Sequence, residues 1–189
     1  MRRAKFAVVV LVIVAGTGIT PSRAGNQPPT VEPTSHHKLL AKDAGTWDAS
    51  VKTWTGGPDS EPMVSKGVET NSMIGGLWLV TEFKGEFGGQ TFEGRGQTGY
   101  DTNKKKYVGT WVDTMTTEIM VSEGDHDEKT QTTTMTSKGK DHAGKPYESK
   151  QVSEHKGDDT RVFTMFMKSA DTKDEFVKAM EITYTRRSK

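Results

Sequence analysis

The chain has no cysteine. Disulfides, thiolate nucleophiles, cysteine-bound metals and a lipidated cysteine after a leader are therefore excluded. Long hydrophobic runs are also missing: the longest, Phe6 to Ala15, has about half the ~20 residues a membrane-spanning helix needs. Only 32% of the residues are apolar and 8% aromatic, and past residue 45 none of them form a sustained stripe of helical period. An α/β sandwich or a doubly wound sheet would need such stripes, so both are set aside. No excess of one charge sign exists either, since 26 basic residues are dispersed among 25 acidic ones. That leaves no electrostatic footprint for nucleic acid or for an anionic membrane surface.

What is present begins with a recognisable N-terminus. Arg2, Arg3 and Lys5 precede the apolar run, and small residues with a Ser22-Arg23-Ala24 site follow it. This is the layout of a secretory signal peptide. It is expected to span residues 1–24 and to export the protein to the periplasm or beyond by the general secretory route. Its removal takes away Arg2, Arg3, Lys5 and Arg23, leaving 165 residues with 22 basic against 25 acidic and no stable membrane span. Residues 25–35, GNQPPTVEPTS, are too rich in proline and polar groups to pack, and are expected to form a disordered tether. Residues 36–189 remain as one domain, long enough to bury a single core.

The domain opens with HHKLLAKDAG, a short helix capped by Ser35 and ended by Gly45, with Leu39 and Leu40 on one apolar side. So short a helix needs a body to pack on, and a plug or lid is its expected use. Next, Trp47, Ala49 and Val51 share one face at period two while Asp48, Ser50 and Lys52 share the other, which is a half-buried strand. Nine further strands are predicted over Met63–Ile74, Leu77–Phe87, Thr91–Tyr100, Lys105–Asp113, Glu118–Gly124, Thr132–Gly139, Pro146–His155, Arg161–Ser169 and Glu175–Arg186. The clearest pair is Phe92 to Asp113, a hairpin turning at Asp101 to Lys104, where Asp and Asn side chains bond the local backbone. Short links between successive strands predict an antiparallel meander, and closure into a barrel hides the edges that an open sheet would expose. The fold expected is thus all-β, an up-and-down barrel of eight to ten strands with a short N-terminal helix; a two-sheet sandwich is the alternative.

Gly45-Thr46-Trp47 opening the first strand, followed by a meander that ends in a strand carrying Arg186, resembles the calycin superfamily of lipocalins and fatty-acid-binding proteins. The resemblance implies that Trp47 sits at the closed end of the barrel with Arg186 over its ring, and Gly45, Trp47 and Arg186 form the structural motif. True lipocalins also carry a second Thr-Asp-Tyr motif, in place of which this chain has only Gly99-Tyr100-Asp101 nearby. More closely, GGLWLVTEFKG, FEGRGQTGYDTNKKKYVGTWVD and EITYTRR resemble an uncharacterised bacterial domain-of-unknown-function family, number 1579, with a calycin-like barrel. That resemblance runs from about Lys38 to Arg187 and implies a fold without an activity.

Gly94-Arg95-Gly96-Gln97-Thr98-Gly99 matches the dinucleotide fingerprint in letters alone, because a turn and another strand follow it where the fingerprint requires a helix. Two glycines on one strand face instead allow a bend or the close approach of another group. The histidines, His36, His37, His126, His142 and His155, lie near the N-terminal segment or in turns and are read as solvated; no metal-ligand spacing exists, and neither metal nor cofactor is expected. No Gly-x-Ser-x-Gly elbow is present. Two acids stand in line with aromatics: Glu82 with Trp78, and Asp113 with Tyr107 and Trp111. Trp78, Glu82, Tyr107, Trp111 and Asp113 together are the candidate ligand-binding residues, on a parity that a slip of one residue would invert. Three functions compete: a non-catalytic binder of a small apolar or amphipathic molecule inside the barrel, an enzyme using the barrel-lining carboxylates, and a structural or envelope-associated interaction protein. The first is preferred.

Overall fold

A computed structural model describes residues 30–57, 59–141 and 143–188. The expected signal peptide, His142 and most of the proline-rich segment lie outside them. Period-two patterning becomes ten strands: β1 (Gly45–Thr53), β2 (Met63–Ile74), β3 (Trp78–Phe87), β4 (Gln90–Asp101), β5 (Lys106–Asp113), β6 (Met120–Asp127), β7 (Thr132–Lys140), β8 (Pro146–His155), β9 (Thr160–Ser169) and β10 (Val177–Arg186). Each pairs antiparallel with its neighbour in sequence, and β1 pairs with β10 to close the barrel. Closure leaves no strand edge free. At the β4–β5 turn, Asp101 Oδ1 accepts the backbone N–H groups of Asn103 at 2.9 Å and Lys104 at 3.0 Å.

Helix α1 (Ser35–Ala41) begins one residue earlier than its expected cap allows, because Thr34, in extended geometry, takes the cap position. The His37 ring turns back so that its Nδ1 accepts the Thr34 backbone N–H at 3.1 Å. Leu40 is buried with Leu79, Tyr107 and Met135, and Leu39 packs at the margin of the same cluster, so the helix corks one end of the barrel. A second core cluster of Trp47, Ala49, Val51, Phe83, Ile182 and Tyr184 lies under β1, β3 and β10. Among the described residues, no helix is long and apolar enough to cross a membrane.

One expected alternation fails in the last strand. The sequence puts Phe176 on the same face as Met180, Ile182 and Tyr184, but the register shifts between Lys178 and Met180. A bulge adds one residue and reverses the faces beyond it. Phe176 therefore lies exposed, with Lys150 Nζ 5.1 Å and Lys168 Nζ 5.3 Å from its ring centroid.

Candidate ligand site in the barrel interior

Opposed residues on neighbouring strands share a face, so the pairing assigns each side chain to the lumen or the outside. Trp47 opposes Glu69 and Arg186, and Arg161 opposes His155 and Tyr184. All of these point inward, toward the end that α1 covers.

That closed end is an ionic network. Asp43, just past α1, places Oδ1 2.8 Å from His155 Nε2, and its Oδ2 accepts from Arg161 Nη1 at 3.3 Å. Arg161 also donates through Nη2 to Glu69 Oε1, which accepts from Asn71 Nδ2 at 2.7 Å. The Asp43 carbonyl accepts from Trp47 Nε1 at 2.8 Å and from Asn71 Nδ2 at 3.0 Å. Burial works against the charge on Arg161, but Glu69 and Asp43 outweigh it and hold the guanidinium above its ordinary pKa. Burial, with Glu69 alongside, also pushes the Tyr184 phenol well above its usual value. Among the described residues, two buried side-chain atoms, Asn71 Oδ1 and Arg161 Nε, have no partner.

Arg186 completes the cork. Its guanidinium sits 4.0 Å from the Trp47 ring centroid, a cation–π contact of about 0.5 to 2 kcal/mol. The same group donates to the carbonyls of Ala44 at 2.7 Å and Lys42 at 2.6 Å, satisfying backbone acceptors where the chain leaves the helix. Gly45 stands there with φ +121°, and a Cβ would lie 3.0 Å from Arg186 Nη1, so only glycine fits both the turn and the arginine.

Four of the histidines expected to be solvated, His36, His37, His126 and His155, are engaged at this end, where α1 packs over β3 and β4. His36 stacks on Tyr100 at 3.9 Å, with its Nδ1 3.2 Å from the Tyr107 hydroxyl. His126 Nδ1 lies 3.0 Å from Thr133 Oγ1, and burial, with His155 and then His36 nearby, depresses its pKa. Burial likewise pushes the Tyr107 phenol up to about 12. Among the described residues, no group of three or more His, Asp or Glu side chains converges as a metal site. The closed end thus consists mainly of groups that bind one another, and it holds the helix.

The other half of the lumen differs. Ten strands exceed the eight at which side chains just fill a barrel. The buried apolar residues gather at the closed end and under β1, β3 and β10. Toward the opposite mouth, Trp111, Phe163, Met165, Met167 and Met180 point inward by register yet remain only partly buried. Across from them Ser122, Ser137 and Ser149 form a buried hydroxyl strip, with Ser137 Oγ and Ser149 Oγ 2.7 Å apart. The Trp111 indole lies flat on β4, where a Cβ at Gly94 or Gly96 would run into the ring. That is the use of the two glycines in the nucleotide-like motif.

The five candidate binding residues do not form one group. Tyr107, Trp111 and Asp113 share the inner face, Tyr107 buried at the closed end and the other two near the mouth. Asp113 accepts the Trp111 indole N–H at 2.9 Å and the backbone N–H groups of Met115 and Thr116. Trp78 and Glu82 face outward, opposing Gly99 and Arg95. Trp78 packs on bare backbone, 2.6 Å from where a Gly99 Cβ would stand, and Glu82 pairs with Arg95 at 3.2 Å. The expectation of a single pocket uniting all five is corrected accordingly: an outward tryptophan sheltered by a glycine mimics an inward one in sequence. Arg161, Glu69, Asp43 and His155 were missed; the one available signal was Arg161 in phase with Phe163, Met165 and Met167.

A closed ten-stranded meander, corked by a helix at one end, is a calycin-like up-and-down barrel. The chain belongs to the family described as Protein of unknown function (DUF1579), whose model matches residues 32–186. Among solved structures, it is similar to Rv2717c from M. tuberculosis, with 9% identity over 83% of this chain and 100% of that one and a TM-score of 0.59. At that identity the likeness speaks for the fold alone. The EF1p2_mFAP2b barrel bound to DFHBI (10% identity, 81% of this chain and 100% of that one, TM-score 0.43) and the redesigned barrel b11L5F_LGL (11%, 81% and 96%, 0.40) are more distant and carry no argument. No curated protein matches the sequence.

Proposed function

We propose that this protein is a non-catalytic binder of a small apolar or amphipathic molecule, held in the open half of the barrel. The observation that carries the reading is the gathering of Trp111, Phe163, Met165, Met167 and Met180, partly buried apolar side chains, on the inner face of the half of the barrel that the helix leaves uncovered. Burying such surface on a ligand is worth about 25 cal/mol per Å². The facing serine strip supplies a few oriented polar groups, the usual composition of a small-molecule site. The carboxylates of the enzymatic alternative do not converge: Glu82 is engaged outside with Arg95, and Asp113 is held by three donors. The N-terminal segment supports export, which sequencing the N-terminus of protein recovered from the cell envelope fraction would test. For binding, tryptophan fluorescence is titrated with co-purifying small molecules. Trp111→Leu, in a protein that retains its circular dichroism, is expected to weaken affinity at least fivefold, and unchanged affinity refutes the site.

A further inference from the structure

The charge of the lumen is as uneven as its packing. Among the described residues, the inward-facing acidic and basic side chains Glu69, His126, His155, Arg161 and Arg186 belong to the closed end, where most are bound to one another or to backbone. In the open half, Asp113 is the inward-facing carboxylate and Tyr147 adds a phenol whose proton burial and Asp113 help to hold, while among the described strand residues no lysine, arginine or histidine points inward there. The loops around the mouth, 54–62, 88–89, 114–119, 141–145 and 170–176, carry seven carboxylates against two lysines. The soft part of the lining is methionine: Met63, Met120, Met165, Met167 and Met180 all face in.

We infer that the ligand of this lumen is an uncharged or cationic molecule with a flat aromatic or otherwise polarisable body, and that anionic amphiphiles are rejected. This rests on the interior-binding reading above and adds the ligand's class. An anion entering the open half would leave water without meeting a counter-charge, which strongly disfavours it. The acidic rim would repel it on approach, over a Debye length of about 8 Å at physiological salt. Methionine thioethers make favourable contacts with aromatic rings and adapt to varied shapes. The Ser122, Ser137 and Ser149 hydroxyls offer hydrogen bonds to a neutral polar tip but no charge.

A matched pair of dyes tests this. N-phenyl-1-naphthylamine and 8-anilino-1-naphthalenesulfonate share one aromatic skeleton and differ by a sulfonate. Titrated into the folded protein, with energy transfer from tryptophan as the readout, the neutral dye is expected to bind at least tenfold more tightly than the sulfonate. Met167→Lys, an unbranched replacement that places a cation inside the lumen, is expected to raise sulfonate affinity at least fivefold without raising that of the neutral dye. Met165→Lys serves the same purpose if the first variant loses its circular dichroism. Sulfonate binding as tight as or tighter than neutral binding in the unmodified protein overturns the inferred class while the interior-binding reading stands. Failure of both dyes to bind overturns that reading and this inference with it. Folded lysine variants that leave the ratio of affinities unchanged also refute it.

Discussion

Replacing Trp47 with alanine should be among the most damaging single changes in the molecule. The ring is fully buried in the cluster with Ala49, Val51, Phe83, Ile182 and Tyr184. Truncating a core tryptophan costs about 3 to 5 kcal/mol from lost transfer energy and the remaining cavity. Two specific contacts go with it: the indole N–H bond to the Asp43 carbonyl, about 1 kcal/mol net, and the Arg186 contact, about 0.5 to 2 kcal/mol. The lower of these figures fall inside the alanine range, so a loss near its upper half, about 4 to 5 kcal/mol, is expected. For a domain stable by about 5 to 15 kcal/mol, that is from roughly a third to nearly all of the total. Trp47→Phe keeps most of the apolar volume but not the N–H, and should lose only about 1 to 2 kcal/mol. Urea unfolding followed by far-ultraviolet circular dichroism measures both, and a cycle with Arg186→Ala isolates the coupling, expected at about 0.5 to 2 kcal/mol. A Trp47→Ala variant within about 0.5 kcal/mol of the unmodified protein would refute the closed-end account.

The ionic network makes a second prediction: Arg161→Met, leaving Glu69 buried and uncompensated, should destabilise by about 3 to 5 kcal/mol, while adding Glu69→Met should restore much of the loss. Equal stabilities for the single and double variants in urea melts would contradict it. Acid sensitivity follows from His126, whose folded pKa is depressed by burial below the ordinary 6.5. The unfolded chain then binds the proton more readily, so stability is full above about pH 6.5 and declines as pH falls toward the lowered folded value. His126→Gln should flatten that part of the curve of urea midpoint against pH, and an unchanged slope would show that His126 is not responsible. In the alkaline direction Tyr107, pushed up to about 12, keeps its proton in the fold, so stability should fall above about pH 10, less so in Tyr107→Phe.

Much of the fold was legible because it depends on period-two patterning and on turns with local chemistry. The β4–β5 hairpin was read from Asp101 and Asn103, whose turn bonds need nothing distant. Ten strands with short links left closure as the way to remove the edges, and the calycin resemblance carried by Gly45-x-Trp47 implied which end closes. The site was less legible because β3 is apolar on both faces. Leu79 and Phe83 fill the core while Trp78 and Val80 occupy the outer face, so hydrophobicity alone cannot choose between them. The choice is made by Gly99, directly opposite on β4, which offers Trp78 an outer seat. Buried charge was invisible for a related reason: Glu69 and Arg161 look like surface residues until the meander closes and places them together with Asp43. Phe176 was misplaced by a bulge that no residue in the strand announces.

The central claim is that a ligand enters the open half of the barrel and stops short of the cork. Methionine supplies reporters in both places, since Met63, Met120, Met165, Met167 and Met180 line the open half, Met73 packs beside the Leu40 cluster and Met115 stands exposed on the rim. The most direct measurement is a titration of protein labelled with carbon-13 at the methionine methyls, using N-phenyl-1-naphthylamine as ligand. The account predicts saturable shifts at Met120, Met165, Met167 and Met180 with Met73 unmoved. Shifts confined to Met115, or no saturable shift inside the barrel, would contradict it.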